Sequence, residues 1–159
     1  MRSKVEARRK AHALEDEHRL IRDGLAPVPE SAHKHQTRPI EEVMSEYLDW
    51  GKAQGGRGGR PWGKDHVRNK RTRLFWWATE LGFETLGDIT GSLPRVEKAT
   101  REMLQTKAPK TVANYSEALS AFCDWCRKRG LISGRPLDGL APFDTTPQTN
   151  RRAMTADEV

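Results

Sequence analysis

Two cysteines, Cys123 and Cys126, stand two residues apart in the stretch FCDWCRKRG, which spans residues 122–130. This spacing occurs in redox dithiols and in one half of a tetrahedral zinc site. A zinc site needs two further ligands, and the chain contains no other cysteine. A redox dithiol commonly lies at a helix N-terminus, whose partial positive charge stabilises the thiolate. The position of the two cysteines in their secondary-structure element therefore decides whether they can act as a redox pair.

That element is predicted to be a helix that begins at Pro109 and ends at Gly130, because proline suits a first helical position and glycine a terminus. Counted around the helix, both cysteines fall within about 40° of Val112, on the stripe that also contains Leu119. They lie in the last two turns, where the helix dipole disfavours thiolate. We expect a packed core pair, with no catalytic residue, cofactor or metal. A thiol enzyme or zinc protein is the alternative.

The apolar residues of the 159-residue chain are concentrated in its middle. All five tryptophans lie between Trp50 and Trp125, and the first 36 residues contain no aromatic side chain. One core is therefore expected between Pro39 and Phe143, preceded by a charged extension and linker over 1–36. No apolar run is long enough to cross a bilayer, and the N-terminus lacks the apolar centre of a signal peptide. A cytoplasmic protein without a membrane partner is expected.

Besides the helix from Pro109, the ranges 39–54, 64–81 and 93–105 show helical periodicity, and no segment shows sustained strand alternation. The fold class is therefore predicted to be all-α. The range 3–23 is expected to form a charged, weakly amphipathic helix with Leu14, Ile21 and Leu25 as a thin stripe. The stretches APVPESAHKHQTRP, GGRGGRPWG and LGFETLGDITGS are expected to be a linker, a flexible basic loop and a loop, respectively. His33 and His35 lack further ligands nearby and do not predict a metal site.

The net charge of +6 is concentrated in one segment. From Arg57 to Arg73 there are seven basic residues and one acid, and seven minus one gives +6. Such a patch indicates a polyanionic partner, although a solvated helix face is the plainer alternative. The arc of the second core helix opposite its apolar stripe is expected to carry guanidinium, amide, hydroxyl and indole groups, which can contact phosphates and base edges. Its members are Asp65, Arg68, Asn69, Thr72, Arg73 and Trp76.

The start of the helix at Pro109 is a second candidate for phosphate contact. The backbone amides of Lys110 and Thr111 belong to the first helical turn and have no partner within the helix. Lys107 and Lys110 add positive charge beside them. A helix N-terminus of this kind favours phosphate, although an ordinary capped terminus is the alternative.

These segments together resemble the core-binding domain of the tyrosine recombinases, the phage integrase family. The stretch KTVANYSEALSAFCDWCRKRGLISGRPLDGL is similar to the last helix of that domain and the turn after it. The resemblance rests on Lys110, Thr111, Tyr115, Leu119, Phe122, Trp125, Gly130, Leu131, Ile132, Pro136 and Leu137. IEEVMSEYLDW and HVRNKRTRLFWWATELG resemble its first two helices, and LGDIT resembles the approach to its third. Arg135 departs from the asparagine usual before Pro136.

The resemblance implies a small orthogonal four-helix bundle over 37–140, preceded by a helical or disordered extension. It implies sequence-directed binding of double-stranded DNA in site-specific recombination or integration, in the nucleoid, with assembly of full-length copies on DNA. The range 141–159, with its Thr155-x-x-Glu158 pattern, resembles the entry into the catalytic domain. By this resemblance the chain is expected to be the N-terminal part of a recombinase that lacks the catalytic domain, and therefore to be non-catalytic. Tyr47 and Tyr115 fall on helix core faces, and neither matches the nucleophile.

We expect DNA contacts from both helices and from the basic loop. The predicted residues are Arg57, Arg60, Lys64, Arg68, Asn69, Thr72, Arg73, Lys107, Lys110, Thr111 and Asn114. The alternative function is an RNA- or single-strand-binding helical module, indicated by GGRGGR and by the tryptophan pair Trp76–Trp77.

Overall fold

A computed structural model describes residues 4–23 and 30–146 of the chain, and that part is an all-α bundle, as the sequence predicted. It contains six α-helices: α1 (Lys4–Arg22), α2 (Glu30–Gln36), α3 (Ile40–Gln54), α4 (Lys64–Leu81), α5 (Leu93–Leu104) and α6 (Pro109–Lys128). Two short 3₁₀ turns, Arg57–Gly59 and Leu86–Ile89, lie between them. The orthogonal arrangement of four helices stays a prediction.

One hydrophobic core joins α3, α4, α5 and α6. Its members run from Ile40 to Leu137, with Phe143 packed against it, which confirms the predicted extent of the core. Trp77 and Phe122 are the largest side chains that are fully buried. Each aromatic side chain of this size buries 150–250 Å² on folding, so the two residues fix how α4 and α6 meet.

The predicted ends of the core helices agree with the observed ends within one or two residues. Pro39 is the N-cap of α3 rather than its first helical residue, and α5 ends at Leu104. Gly82 and Gly130 follow α4 and α6 with φ of 63° and 69°, a left-handed conformation that glycine adopts without steric cost.

Three segments expected to be irregular have regular structure. The linker contains α2, and the backbone carbonyl oxygen of Arg38, near the end of the linker, accepts a 2.9 Å hydrogen bond from the Leu86 amide. Leu86–Ile89 forms a 3₁₀ turn with a capping box between Thr85 and Asp88, and both apolar ends of the turn are fully buried. These segments are too short for a helical period to be visible in sequence. The third is the loop of Arg57–Gly59, described below.

The N-terminal helix differs from the rest. The predicted helix of 3–23 is confirmed as α1, and every α1 residue with described exposure is exposed, including Leu14 at 56%. None of its residues belongs to the core. In the described ranges, no helix combines the length and apolarity that a membrane span requires. Leu25, Thr155 and Glu158 lie outside the described residues.

Candidate nucleic-acid interface

Two adjacent tryptophans of α4 join it to the first half of α6. Trp77 Nε1 donates a 2.8 Å hydrogen bond to the carbonyl oxygen of Tyr115. The Trp76 ring meets the Tyr115 ring edge-on with centroids 5.2 Å apart. Trp77 is fully buried, whereas Trp76 and Tyr115 are half-buried. The half-buried ring pair therefore marks where the surfaces of the two helices meet.

Polar residues flank this ring pair on both helices. Thr72 and Arg73 lie about one turn before Trp76, and Thr111 and Asn114 lie within one turn before Tyr115. We call the resulting surface the α4–α6 face and define it by Asn69, Thr72, Arg73, Lys110, Thr111 and Asn114. All six are exposed except Arg73 and Asn114, which are half-buried. The sequence predicted each of them. Because the start of α4 lies beside the end of α6, the α4 residues and the α6 residues extend from the ring pair toward opposite ends of the two helices.

The structure separates the two arginines that the sequence placed on one outward arc, and for Arg73 that placement was wrong. Arg73 precedes Trp77 by four residues, only about 40° from it around the helix, and is half-buried at the edge of the core. Arg68 lies about 180° from Trp77 and is exposed. Its guanidinium pairs with Asp65 at 2.9 Å. Arg68 is therefore partly neutralised and lies outside the α4–α6 face.

A cationic stripe that the sequence did not single out runs beside this face. His66, Lys70 and Arg73 follow one another at i, i+4 and i+7 on α4, and Glu117 of α6 is close enough to influence the first two. Burial, followed by the charges of Lys70 and Arg73, lowers the pKa of His66. Burial is also the main cause that lowers the pKa of Lys70. The i, i+4, i+7 spacing was visible in sequence, but the partner Glu117 comes from tertiary packing.

The N-terminus of α6 is open to solvent. Lys107, Lys110 and Thr111 are exposed, and no described side chain caps the helix. The first-turn amides therefore remain available to an anion, and the helix dipole favours one. This supports Lys107, Lys110 and Thr111 as a phosphate-contacting set.

The basic loop after α3 is ordered by Trp62, so the prediction of a flexible loop was wrong. The Trp62 amide donates a 2.9 Å hydrogen bond to the Gly51 carbonyl oxygen, and its ring lies where a Cβ of Gly51 or Gly55 would be. Because Gly51 in α3 and Gly55 directly after it have no side chains, there is space for the Trp62 indole. Arg57 and Arg60 are exposed on this loop, held by a 2.6 Å hydrogen bond from the Gly56 amide to the Arg60 carbonyl oxygen.

The loop and the α6 N-terminus lie at opposite ends of the α4–α6 pair. Tyr47 receives a 3.3 Å hydrogen bond from Lys70, in the first half of α4, and packs against Trp125, near the end of α6. Since Trp77 meets Tyr115, the start of α4 lies beside the end of α6. Lys64 is about 20 Å along the helix axis from Trp77. Arg57, Arg60 and Lys64 are therefore not brought together with Lys107 and Lys110.

The residues with catalytic potential are buried. Cys123 and Cys126 are free thiols with 5% and 0% exposure, as the core prediction required. Burial raises the pKa of Cys123 to about 12 and also raises the pKa of Cys126. Burial likewise raises the pKa of Tyr47. Within the described ranges, no group of three or more His, Cys, Asp or Glu side chains is placed to hold a metal ion.

No protein-family model, no curated protein and no solved structure matches this chain.

Proposed function

We propose that this chain binds double-stranded DNA through the α4–α6 face, in the manner of the core-binding domain of a tyrosine recombinase. The observation that carries the proposal is the Trp76–Tyr115 ring pair. The pair lies between an amide- and hydroxyl-bearing stretch of α4 and the uncapped, lysine-flanked N-terminus of α6, which precedes Tyr115 by about one and a half turns. Phosphates bind such helix ends, and Asn and Thr side chains can contact base edges.

Charge supports duplex DNA as the partner. Lys70 and Arg73 place two cations beside the face, and after burial their charges contribute to the lowered pKa of His66, against the opposing charge of Glu117. Arg57, Arg60 and Lys64 extend the positive charge toward the other end of α4. We propose that these three residues attract the backbone without reading sequence, whereas Asn69, Thr72 and Asn114 contact bases.

The role is proposed to be binding rather than catalysis. The cysteines are held as buried thiols, and Tyr47 is buried against Phe122 and Trp125. A nucleophile needs access to its substrate and a lowered pKa, and burial here works in the opposite direction.

The salt dependence of DNA binding tests this proposal. The variant Arg73→Gln/Lys110→Gln removes two cations from the α4–α6 face, and the control Lys98→Gln/Arg101→Gln removes two exposed cations from α5. In gel shifts with a duplex, the slope of log K against log salt is expected to become shallower by about 1.8 in the first variant, at about 0.9 per phosphate. The control slope is expected to equal that of the parent. Equal slopes in all three proteins would overturn the proposal.

Competition separates duplex binding from the single-strand alternative. We expect unlabelled duplex to displace the probe at lower nucleotide concentration than single-stranded DNA or RNA of the same sequence. Trp62 packs against Gly51 and Trp76 meets Tyr115 edge-on while remaining half-buried, so Trp76 is the indole of the two that a single strand would have to stack on. More effective competition by single strands would establish the alternative.

The recombinase assignment has its own test. By resemblance, a core-binding domain closes over one face of the duplex, so hydroxyl-radical footprinting is expected to show protection confined to one side over about one helical turn. Protection on all sides, or none, would contradict the assignment even where DNA binding itself is observed.

A further inference from the structure

α1 is a 19-residue helix without a place in the core. Most helices in proteins depend on a packed face for their stability rather than on helix propensity alone. Leu14 is more than half exposed and sits in the middle of the helix. The exposed Leu14 side chain could therefore pack against another helix, and the sequence around Leu14 indicates which helix that is.

The residues around Leu14 follow a heptad. With Leu14 at position d, the other d positions are Ala7 and Ile21, and the a positions are Lys4, Ala11 and His18. Small or apolar residues thus occupy four of these six positions. Such a seam matches the spacing of 3.5 residues at which two helices wind around each other, but it is short and contains few large side chains.

The charges beside the seam specify the partner. Positions e and g carry Arg8, Lys10, Glu15, Glu17 and Arg22. In a parallel pair, each g position faces the e position of the next heptad on the other helix. Lys10 of one copy then faces Glu15 of the other, and Glu17 faces Arg22. Both pairings are between opposite charges, and symmetry repeats each of them.

An antiparallel pair would bring e to e and g to g. With the two Leu14 residues aligned, Glu15 would then face Glu15, and Arg8 would face Arg22. These e-to-e pairings are between like charges, whereas the g-to-g pairing of Lys10 with Glu17 is between opposite charges, so the antiparallel arrangement has mixed pairings and the parallel arrangement has only favourable ones. The pattern therefore favours parallel pairing of identical helices over the reverse orientation.

We propose that α1 forms a parallel two-stranded coiled coil with α1 of a second copy of this chain. Glu15 and Arg22 also make ion pairs within their own chain, and these are weak competitors of the pairs between helices. Glu15 lies 3.7 Å from His12 and Arg22 lies 4.0 Å from Asp23, with all four side chains well exposed. Exposed pairs of this kind contribute little, so both residues can turn toward a second helix.

Pairing through α1 would link two copies without covering the α4–α6 face, since α1 contributes no residue to the core or to that face. Two linked faces would raise the effective concentration of the second on DNA. The association itself needs no DNA, so its test is independent of the proposed function.

The test is sedimentation equilibrium of the full chain, free of nucleic acid, up to about 0.3 mM, a range suited to a weak association with a Kd near 0.1 mM. The parent is expected to shift from 18.1 kDa toward roughly twice that mass. Lys10→Glu places glutamates opposite each other, and Glu15→Lys places lysines opposite each other. Each variant alone is expected to associate about 10-fold more weakly.

Mixing the two variants gives the decisive result. In a Lys10→Glu with Glu15→Lys heterodimer, every e–g pair of this heptad is again between opposite charges, so association is expected to return to the parent value. Arg9→Glu, at the outward f position, is the control that changes charge without changing association. Monomeric parent protein, full association of either variant alone, or no recovery on mixing would each overturn the proposal.

Discussion

Trp77 of α4, which is fully buried, donates its indole N–H to the backbone carbonyl oxygen of the half-buried Tyr115 in α6 across 2.8 Å. This hydrogen bond fixes where α4 crosses α6. The neighbouring Trp76 extends the contact to the surface through the Tyr115 ring. One pair of adjacent indoles thus gives both the core anchor and the exposed junction of the α4–α6 face.

Trp77→Phe is expected to destabilise the domain, because it removes this hydrogen bond and leaves a space beside α6. The loss in the free energy of unfolding is expected to be about 2–3 kcal/mol, measured by urea denaturation. Trp76→Phe keeps a ring against Tyr115 and is expected to cost less than about 1 kcal/mol. Equal losses in the two variants would show that the Trp77 hydrogen bond has no special structural role.

Gly51→Ala is expected to displace Trp62, because the added methyl group would overlap the indole ring. Overpacking in a fitted contact costs about 1–3 kcal/mol, and the basic loop with Arg57 and Arg60 would lose its anchor. Gly63→Ser is the control, since a Cβ at Gly63 meets nothing within 4 Å and serine is a favourable N-cap. Thermal unfolding and Trp fluorescence measure both effects, and a Gly51→Ala protein as stable as the control would contradict the packing described.

The apolar periodicity made the four core helices predictable, and the proline and glycine signals at Pro109 and Gly130 placed the ends of α6. The loop after α3 could not be predicted in the same way. GGRGGR indicated flexibility or an arginine–glycine repeat, because nothing in local sequence shows that Trp62 returns to fill the space left by Gly51 and Gly55.

The candidate site was predictable in its membership but not in its arrangement. Arg73 lies one turn before Trp77, which places it near the edge of the core. The polar composition of the arc that was expected to carry it suggested an outward face instead. The proximity of the neighbouring Lys70 to the α6 residue Glu117 depends on how α4 crosses α6, which no local pattern encodes. The separation of Lys64 from Lys107, at opposite ends of the helix pair, likewise depends on how α4 crosses α6.

Arg68 and Arg73 are expected to differ in their contribution to DNA binding. Arg73→Gln removes a cation from the α4–α6 face and is expected to weaken duplex binding about 10-fold at low salt. Arg68→Gln removes a charge already paired with Asp65 at 2.9 Å, and its effect is expected to be less than about 3-fold. Binding constants from fluorescence anisotropy compare the two. A larger loss for Arg68→Gln would place the interface on the outward arc of α4.

The two thiols are expected to be unreactive in the folded protein. Burial raises the pKa of Cys123 to about 12, so almost none of it is thiolate at pH 8. With a chromogenic disulfide reagent, we expect labelling of under about 10% in native buffer, since access and thiolate are both lacking. Both thiols should react in 6–8 M urea or its equivalent, roughly the range that unfolds small domains. Rapid native labelling of either cysteine would revive the dithiol alternative.

His66 is expected to make DNA binding pH-dependent. Partial burial and the charges of Lys70 and Arg73 lower its pKa below the ordinary 6.5, which favours the neutral imidazole in the free protein. DNA phosphates near the cationic stripe would favour the imidazolium, which raises its pKa on binding. Binding therefore takes up a proton, and affinity is expected to rise as the pH falls from about 7.5 toward 6.

The stability of the free protein is expected to change in the opposite direction. A histidine whose pKa is lowered by folding contributes stability that is fully present above its unfolded pKa of about 6.5, and that contribution is lost as the pH falls from there through the lower pKa of the folded state. His66→Gln is expected to remove both pH dependences, whereas His12→Gln in exposed α1 is expected to leave them intact. Anisotropy titrations and urea denaturation at matched ionic strength measure the two trends. A pH dependence that persists in His66→Gln would assign the proton uptake to another group.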